Sequence, residues 1–400
     1  MAVLRHGPVV EAMSWGSARA LAAGAACPLK PREVPLQDAL GCRLAAPLRA
    51  LVPVPGVDVA AMDGYAVSGP GPWRVLGRVL AGGAPHAGPL RAGEAVEIAT
   101  GAPVPEGTSS VLPWELAAAG AGRVDGAAEP GRHVRRRGED IPEGTVVLGA
   151  GAVVTPVALG LAAALGHDTL PVRPRPEVAV LVTGDEVMME GLPGPGRVRD
   201  AIGPFLPGLV RWAGGRVAGV ITLPDGPEAL HAALGSPAGA VPGRGAADVV
   251  VVCGASSKGP ADHLRAVLGD LGADVLVDGV AVRPGHPQLL ARLPGGRLLV
   301  GLPGNPFAAL AAALTLLAPV LRELAGTPAP RETSALAGPV RTHPRDTRLV
   351  PVRRSARGAV PVGHDRPGSL WGAALADALA VVPAGWAGEQ VELIELPPGV

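Results

Sequence analysis

Apolar positions fall into two patterns along this chain. In the middle they form short unbroken runs. Residues 178–182 read as a strand buried on both faces, as in a parallel sheet covered by helices, and 216–222 and 248–253 read as further strands. Between and after them lie stretches with apolar residues at helical spacing, 205–214, 227–234 and 260–271. Strands alternating with helices make a βαβ series and predict a mostly parallel α/β core. Further runs at 275–282 and 297–300 extend it. Elsewhere the runs are shorter and separated by turns. Segments 74–80, 95–99, 110–112 and 146–148 predict a compact β domain. Segments 334–340, 349–353, 359–362 and 391–396 predict a second, small β domain near the C-terminal end. Helical spacing also marks 9–24, 36–48 and 152–165, the last with Pro156 near its start and Gly166 as its stop. Three prolines within 171–176 make a boundary.

Composition narrows the classes. The 400 residues are too many for one ordinary core, so several domains are expected. Glycine and proline, 58 and 45 residues, are interleaved with Val, Leu and Ala runs and signal turns, not disorder. Lys30 and Lys258 are the only lysines; the other basic residues are arginine, a skew that belongs to the whole composition. The 35 acidic and 35 basic residues cancel. With one Tyr and two Phe, the chain lacks the basic, aromatic-studded face of a nucleic-acid binder. Cys27, Cys42 and Cys253 form an odd, sparse set without Cys-x-x-Cys spacing, which argues against a disulfide framework and fits a reducing cytoplasm. The nine histidines show no zinc spacing. Residues 1–14 lack the order of a signal peptide. The longest apolar run, 307–320, is short for a bilayer span and carries Pro319. A cytoplasmic protein without membrane or nucleic-acid partners is expected.

Candidate chemistry sits where runs end. The strand at 178–182 stops at Thr183-Gly184 and delivers Asp185 and Glu186. In open α/β sheets ligands lie beyond the carboxyl ends of the strands. Acids there suit Mg²⁺, which takes one or two carboxylates plus ligand phosphates; two solvated loop acids are the plainer alternative. Asp225 follows the next strand, and Asp262 opens the 260–271 helix. Asp63-Gly64 reads as a turn dipeptide, and Arg135-Arg136-Arg137-Gly138-Glu139-Asp140 as a charged loop. Each is ordinary alone. Asn305 and Pro306 suit the cap and first position of a helix over 307–317, whose free N–H groups and dipole favour phosphate-like anions. Together, Asp63, Asp140, Glu186, Asp225, Asp262 and the Asn305 helix describe a site for a phosphorylated ligand plus Mg²⁺.

Five stretches then carry a resemblance. They are Ala61-Met62-Asp63-Gly64-Tyr65-Ala66-Val67, Thr100-Gly101-Ala102-Pro103-Val104-Pro105-Glu106-Gly107, Arg135-Arg136-Arg137-Gly138-Glu139-Asp140-Ile141, Thr183-Gly184-Asp185-Glu186 and Leu302-Pro303-Gly304-Asn305-Pro306. In this order they resemble the molybdopterin molybdenumtransferases, a family that includes the C-terminal domain of gephyrin. The likeness runs from about residue 12 to 396. It implies an elongated, four-domain subunit and a homodimer. Its parts are a helical linker and dimerisation domain (1–52 and 145–173), an inserted β domain (53–144), an α/β domain of molybdopterin-binding type (174–327) and a small β-barrel-like domain (328–400). The implied reaction takes adenylylated molybdopterin and molybdate, cleaves the phosphoanhydride with Mg²⁺ and releases AMP, leaving molybdenum on the dithiolene.

Carried over by motif, Asp63, Thr100 and Asp140 come from one subunit, and Glu186, Asp225 and Asp262 from the other. Asp63, Asp140, Asp225 and Asp262 are then catalytic, with Glu186 and Asp225 on the metal. Thr100, Ser256, Arg283, His286, Pro303, Asn305 and Pro306 contact substrate. The chain departs from the family pattern at Arg283 and His286, where lysines thought to bind molybdate are usual, at Ala255 in place of glycine, and at Ile202 in place of asparagine. A divergent paralogue that binds molybdopterin without turnover, or acts as a scaffold, is the alternative. All six of the polar side chains named for the two subunits are retained, which favours the enzyme, because clustered acids repel one another without a metal.

Overall fold

The computed structural model describes residues 12–236, 247–254, 263–327, 331–388 and 390–397; the expectations for Ala255, Ser256 and Asp262 lie outside them. Contacts divide the chain into two compact units. One comprises Met1–Arg32, Gly41–Arg43 and Arg173–Val400; the other comprises Glu33–Leu40 and Leu44–Val172.

The core of the first unit is a six-stranded sheet in the order Arg216–Leu223, Glu177–Thr183, Val249–Cys253, Leu298–Leu302, Leu289–Arg292, Asp274–Asp278. The first four strands are parallel. Their unbroken apolar runs have a direct cause. Val178, Val180, Val182, Val249 and Val251 pack on one face against Leu206, Leu209, Phe307 and Leu314. Leu181, Val250, Val252 and Leu299 pack on the other against Leu230, Leu234, Leu264 and Leu268. With both faces covered, the 178–182 and 249–253 runs leave no position for a polar side chain, whereas the edge strand Arg216–Leu223 is half exposed and carries Arg216 and Thr222.

The sheet is mixed where the sequence predicts mostly parallel pairing. Leu289–Arg292, absent from the expected strands, runs antiparallel to both neighbours. The single strand expected over 275–282 is two. Gly279 breaks it with φ +89°, a left-handed conformation that glycine adopts without strain. Asp274–Asp278 stays in the core sheet, and Val280–Arg283 joins another, between Met13–Ser14 and Thr347–Ser355. That second sheet continues through Ala378–Val382, Gln390–Glu395 and Glu332–Ala335, with Gly358–Pro361 pairing Thr347–Ser355.

The helix expected over 307–317 runs on to residue 325. Pro306–Ala312 passes through one wide π turn, Ala313–Leu317, into Ala318–Ala325, and Gly326 ends it in the left-handed conformation. The wide turn falls just before Pro319, which has no N–H to give to the ladder. By length and composition this helix could cross a membrane, but it is 94% buried inside the protein. Thr315 inside the π turn donates to the Ala311 carbonyl at 2.7 Å and accepts from Trp15 Nε1 at 3.1 Å, tying the long helix to Trp15–Gly24.

The second unit is built on six short strands in the order Ala118–Gly120, Arg123–Asp125, Trp73–Val79, Glu94–Ile98, Gly64–Val67, Ser110–Pro113. Gly64 opens a strand instead of sitting in a turn. A Cβ there would lie 2.0 Å from the Leu112 carbonyl, so close pairing requires glycine. Pro156–Ala164 forms the expected helix, capped by Thr155 Oγ1 accepting from Ala158 N–H at 3.1 Å. The helix expected over 36–48 is absent. A single turn, Leu36–Asp38, gives way to the two-residue strands Arg43–Leu44 and Leu48–Arg49, because Gly41 at φ +76° and Pro47 cannot continue a helix.

Candidate active site at the strand ends

From Glu177–Thr183 the chain moves to one neighbour, Arg216–Leu223, and then returns to the other, Val249–Cys253. The reversal leaves a crevice beyond the carboxyl ends of the 177–183 and 249–253 strands, the place where open α/β sheets bind ligands. A cavity of about 350 Å³ lies there, lined by Thr183, Glu186, Asp200, Ile202, Gly254 and Asn305 among others. The two strand ends close tightly around it. Thr183 Oγ1 donates to the Cys253 carbonyl at 3.1 Å. Gly254 sits at φ +100°, and a Cβ there would meet the Thr183 carbonyl at 2.8 Å. Burial, then the charge of Asp200, pushes the Cys253 thiol up to about 12. It is therefore neutral and no nucleophile.

The acids at the strand ends are organised. Asp225 Oδ2 accepts from Asp185 N–H at 3.1 Å, and Asp185 Oδ1 accepts from Asp225 N–H at 3.2 Å. This reciprocal pairing fixes two carboxylates on adjacent strand ends. The second oxygen of each has no hydrogen-bond partner among the described residues. Glu186 faces the cavity. Motif carry-over selected Glu186 and Asp225 and passed over Asp185, whose role depends on the neighbouring strand. The only available signal was a second acid beside Glu186. Among the described residues no cluster of three or more possible ligands is preformed. Two fixed carboxylates with free oxygens nevertheless suit Mg²⁺, which completes its shell with water and ligand phosphates.

Pro303, Asn305 and Pro306 lie at the mouth of the long helix, with Asn305 and Pro306 on the cavity wall. The expected anion cradle is altered. Asn305 occupies the cap position, but its side chain makes no capping hydrogen bond. The N–H groups of Phe307 and Ala308 are directed to the Pro367 carbonyl at 2.9 and 3.3 Å, and Pro306 has none to offer. A backbone carbonyl therefore occupies the place foreseen for a phosphate. Ile202 is buried and lines the cavity; its N–H donates to Asp200 Oδ1 at 2.9 Å. Arg283 Nε is 2.7 Å from Asp346 Oδ2, with the Arg283 side chain 60% exposed. Asp346 is largely buried, its side chain 13% exposed, so the pair holds the exposed Arg283 at the protein surface. His286 is exposed on the same loop.

In the second unit three of the singled-out stretches meet around Val59–Ala60. Ala60 bonds Ala102 through N–H to carbonyl at 3.0 Å, and Val59–Ala60 pairs antiparallel with Val134–Arg135. Asp63 Oδ1 accepts from Thr100 N–H at 2.7 Å and from its Oγ1 at 3.0 Å. Asp140 is ion-paired with Arg135. The hydrogen bonds of Arg137 N–H and then the Arg136 side chain hold the Asp58 carboxyl below its ordinary range.

Family models match nearly the whole chain. They describe the MoeA N-terminal region (domains I and II) over residues 13–166, a probable molybdopterin binding domain over 179–323 and the MoeA C-terminal region (domain IV) over 333–396. Molybdopterin molybdenumtransferase 2 of Mycobacterium tuberculosis is 37% identical over 320 residues, 75% of this chain and 77% of that protein. The chain belongs to the molybdopterin molybdenumtransferase family. A second member, from Synechococcus elongatus, is 34% identical over 316 residues, covering 75% of this chain and 77% of its own length. The crystal structure of the molybdopterin biosynthesis MoeA protein from Pyrococcus horikosii superposes with a TM-score of 0.72 at 27% identity, over 98% of this chain and all of that one. A MoeA-like fold of several domains with mixed sheets is thereby established.

Proposed function

We propose that this transferase inserts molybdenum into molybdopterin, taking adenylylated molybdopterin and molybdate and releasing AMP. The observation that carries the reading is the reciprocal Asp185–Asp225 pair, set at the strand ends beside the cavity that Glu186 faces. Asp185, Asp225 and Glu186 are the residues that would hold Mg²⁺; when bound, it offsets phosphate charge and sharpens an attacking water. The chain's own part is positioning. The main-chain N–H bonds hold both carboxylates in place. The close Thr183–Gly254 approach gives the cavity a backbone wall against which a flat ring can lie. Arg283 and His286 supply the oxyanion contacts. The Asp63–Thr100 pair and Asp140 form the second set of functional groups, contributed by the partner copy in a homodimer.

Incubation with adenylylated molybdopterin, Mg²⁺ and molybdate should release AMP. Asp225→Ala and Asp63→Ala should each lower release by at least a hundredfold. A mixture of the two variants, dissociated and reassembled, should regain part of the activity, because some hybrid sites carry both carboxylates. Tight binding without AMP would establish the paralogue that binds and does not turn over. Absence of recovery in the mixture would place both groups on one copy.

A further inference from the structure

The first unit holds another cavity, of about 450 Å³, which shares no lining residue with the one at the strand ends. It lies where Trp15–Gly24, Ala318–Ala325 and Glu332–Ala335 come together. Three arginines line it, Arg19, Arg322 and Arg331, and the first two lie against tryptophan rings. Arg322 keeps only 7% of its surface, and among the described residues its side chain makes no hydrogen bond and no ion pair. A guanidinium has five donors, and those of Arg322 are open to a partner that enters the cavity.

What Arg322 does have is an aromatic face: its Cζ lies 4.2 Å from the centroid of the Trp212 ring. Arg19 is placed similarly, 5.5 Å from Trp15, and gives Nη1 to the Leu314 carbonyl at 2.8 Å. Stacking covers the flat side of a guanidinium and leaves its N–H edge available for planar oxyanion contacts. Burial, then the nearby Arg19 cation, holds Arg322 below its ordinary value; burial does the same to Arg19. Two like charges are thus kept close with their donors underused.

Acids also line the cavity. Glu332 is engaged by Arg354 through both oxygens, at 2.8 and 2.6 Å. Glu392 is the counter-charge felt by Arg19, and Glu395, off the cavity wall, the one felt by Arg322. Glu323 and Arg331 complete the charged lining. The volume exceeds what an inorganic ion needs and lies within the range of small-molecule sites. Ala20, Ala23 and Pro319 offer an apolar wall for a ligand body.

We propose that this cavity binds a small organic anion, its phosphate or carboxylate group held between the N–H edges of Arg19 and Arg322. The protein is titrated with inorganic phosphate and, separately, with acetate, at ionic strength matched by chloride, reading tryptophan fluorescence. A saturable change is expected, because Trp15 and Trp212 stack on the two cations. Arg322→Gln should weaken the response at least tenfold. Glu392→Gln removes a competing acid without touching either guanidinium and should tighten it severalfold. The stronger of the two probes assigns the ligand's anionic group. If Arg322→Gln fails to fold, Arg19→Gln should show the same loss. No saturable response to either anion, or one that the arginine variants leave unchanged, would overturn the proposal.

Discussion

At the scale of single residues, backbone approach decides more than side-chain identity. Gly254 has no room for a Cβ, and its φ of +100° disfavours any other residue. Gly254→Ala should destabilise the fold by about 1–3 kcal/mol and weaken substrate binding, read as a lower denaturant midpoint and a raised KM. An unchanged midpoint would show that the two strand ends can separate freely. His286 is exposed on the Arg283 loop. His286→Lys supplies a permanent charge and should reduce severalfold the molybdate concentration needed for half-maximal AMP release. Identical curves would remove position 286 from the oxyanion contacts. Asp185 shows what motif carry-over leaves out. Its carboxylate matters because a main-chain N–H forty positions later, that of Asp225, meets it across a strand boundary.

Among elements, the long buried helix sets the frame. Its π turn puts Thr315 Oγ1 where Trp15 Nε1 can reach it, joining elements 300 residues apart in the chain. Thr315→Val preserves shape and removes the acceptor. An indole N–H left unpaired inside a core costs about 1–3 kcal/mol, so the thermal midpoint should fall by several degrees. No loss would mean that Trp15 is held by packing alone. The same scale explains the misread strand at 275–282. Its apolar pattern is continuous, and Gly279 is a single residue within it, so periodicity alone could not assign its halves to two sheets. The N–H groups expected to be free at the Asn305 helix start are occupied for a related reason. The helix start was legible, but Pro367, which accepts its first N–H groups, is sixty residues away in the chain.

Across the whole molecule, charge neutrality hides locally paired acids whose behaviour sets the response to pH. Asp58 is held below its ordinary value by Arg137 N–H and Arg136, and Glu332 by Arg354. A carboxyl lowered in the folded state stabilises it above the unfolded value, and that contribution disappears as pH falls through the folded value. The thermal midpoint should therefore drop as pH is taken below about 4. Asp58→Asn should make that decline shallower; a decline of unchanged steepness would mean that the Asp58 contacts do not survive in solution. Sequence by itself determined the α/β core, the positions of most strands and the acids that end them, because burial on both faces and turn chemistry are written into adjacent residues. It also carried the family, since five local motifs stand in order. Tertiary structure alone decided which acids face one another, which way the added strand runs, what occupies the mouth of the long helix and that two arginines share a cavity. Those outcomes depend on distances between segments far apart in the chain, and no local pattern encodes them.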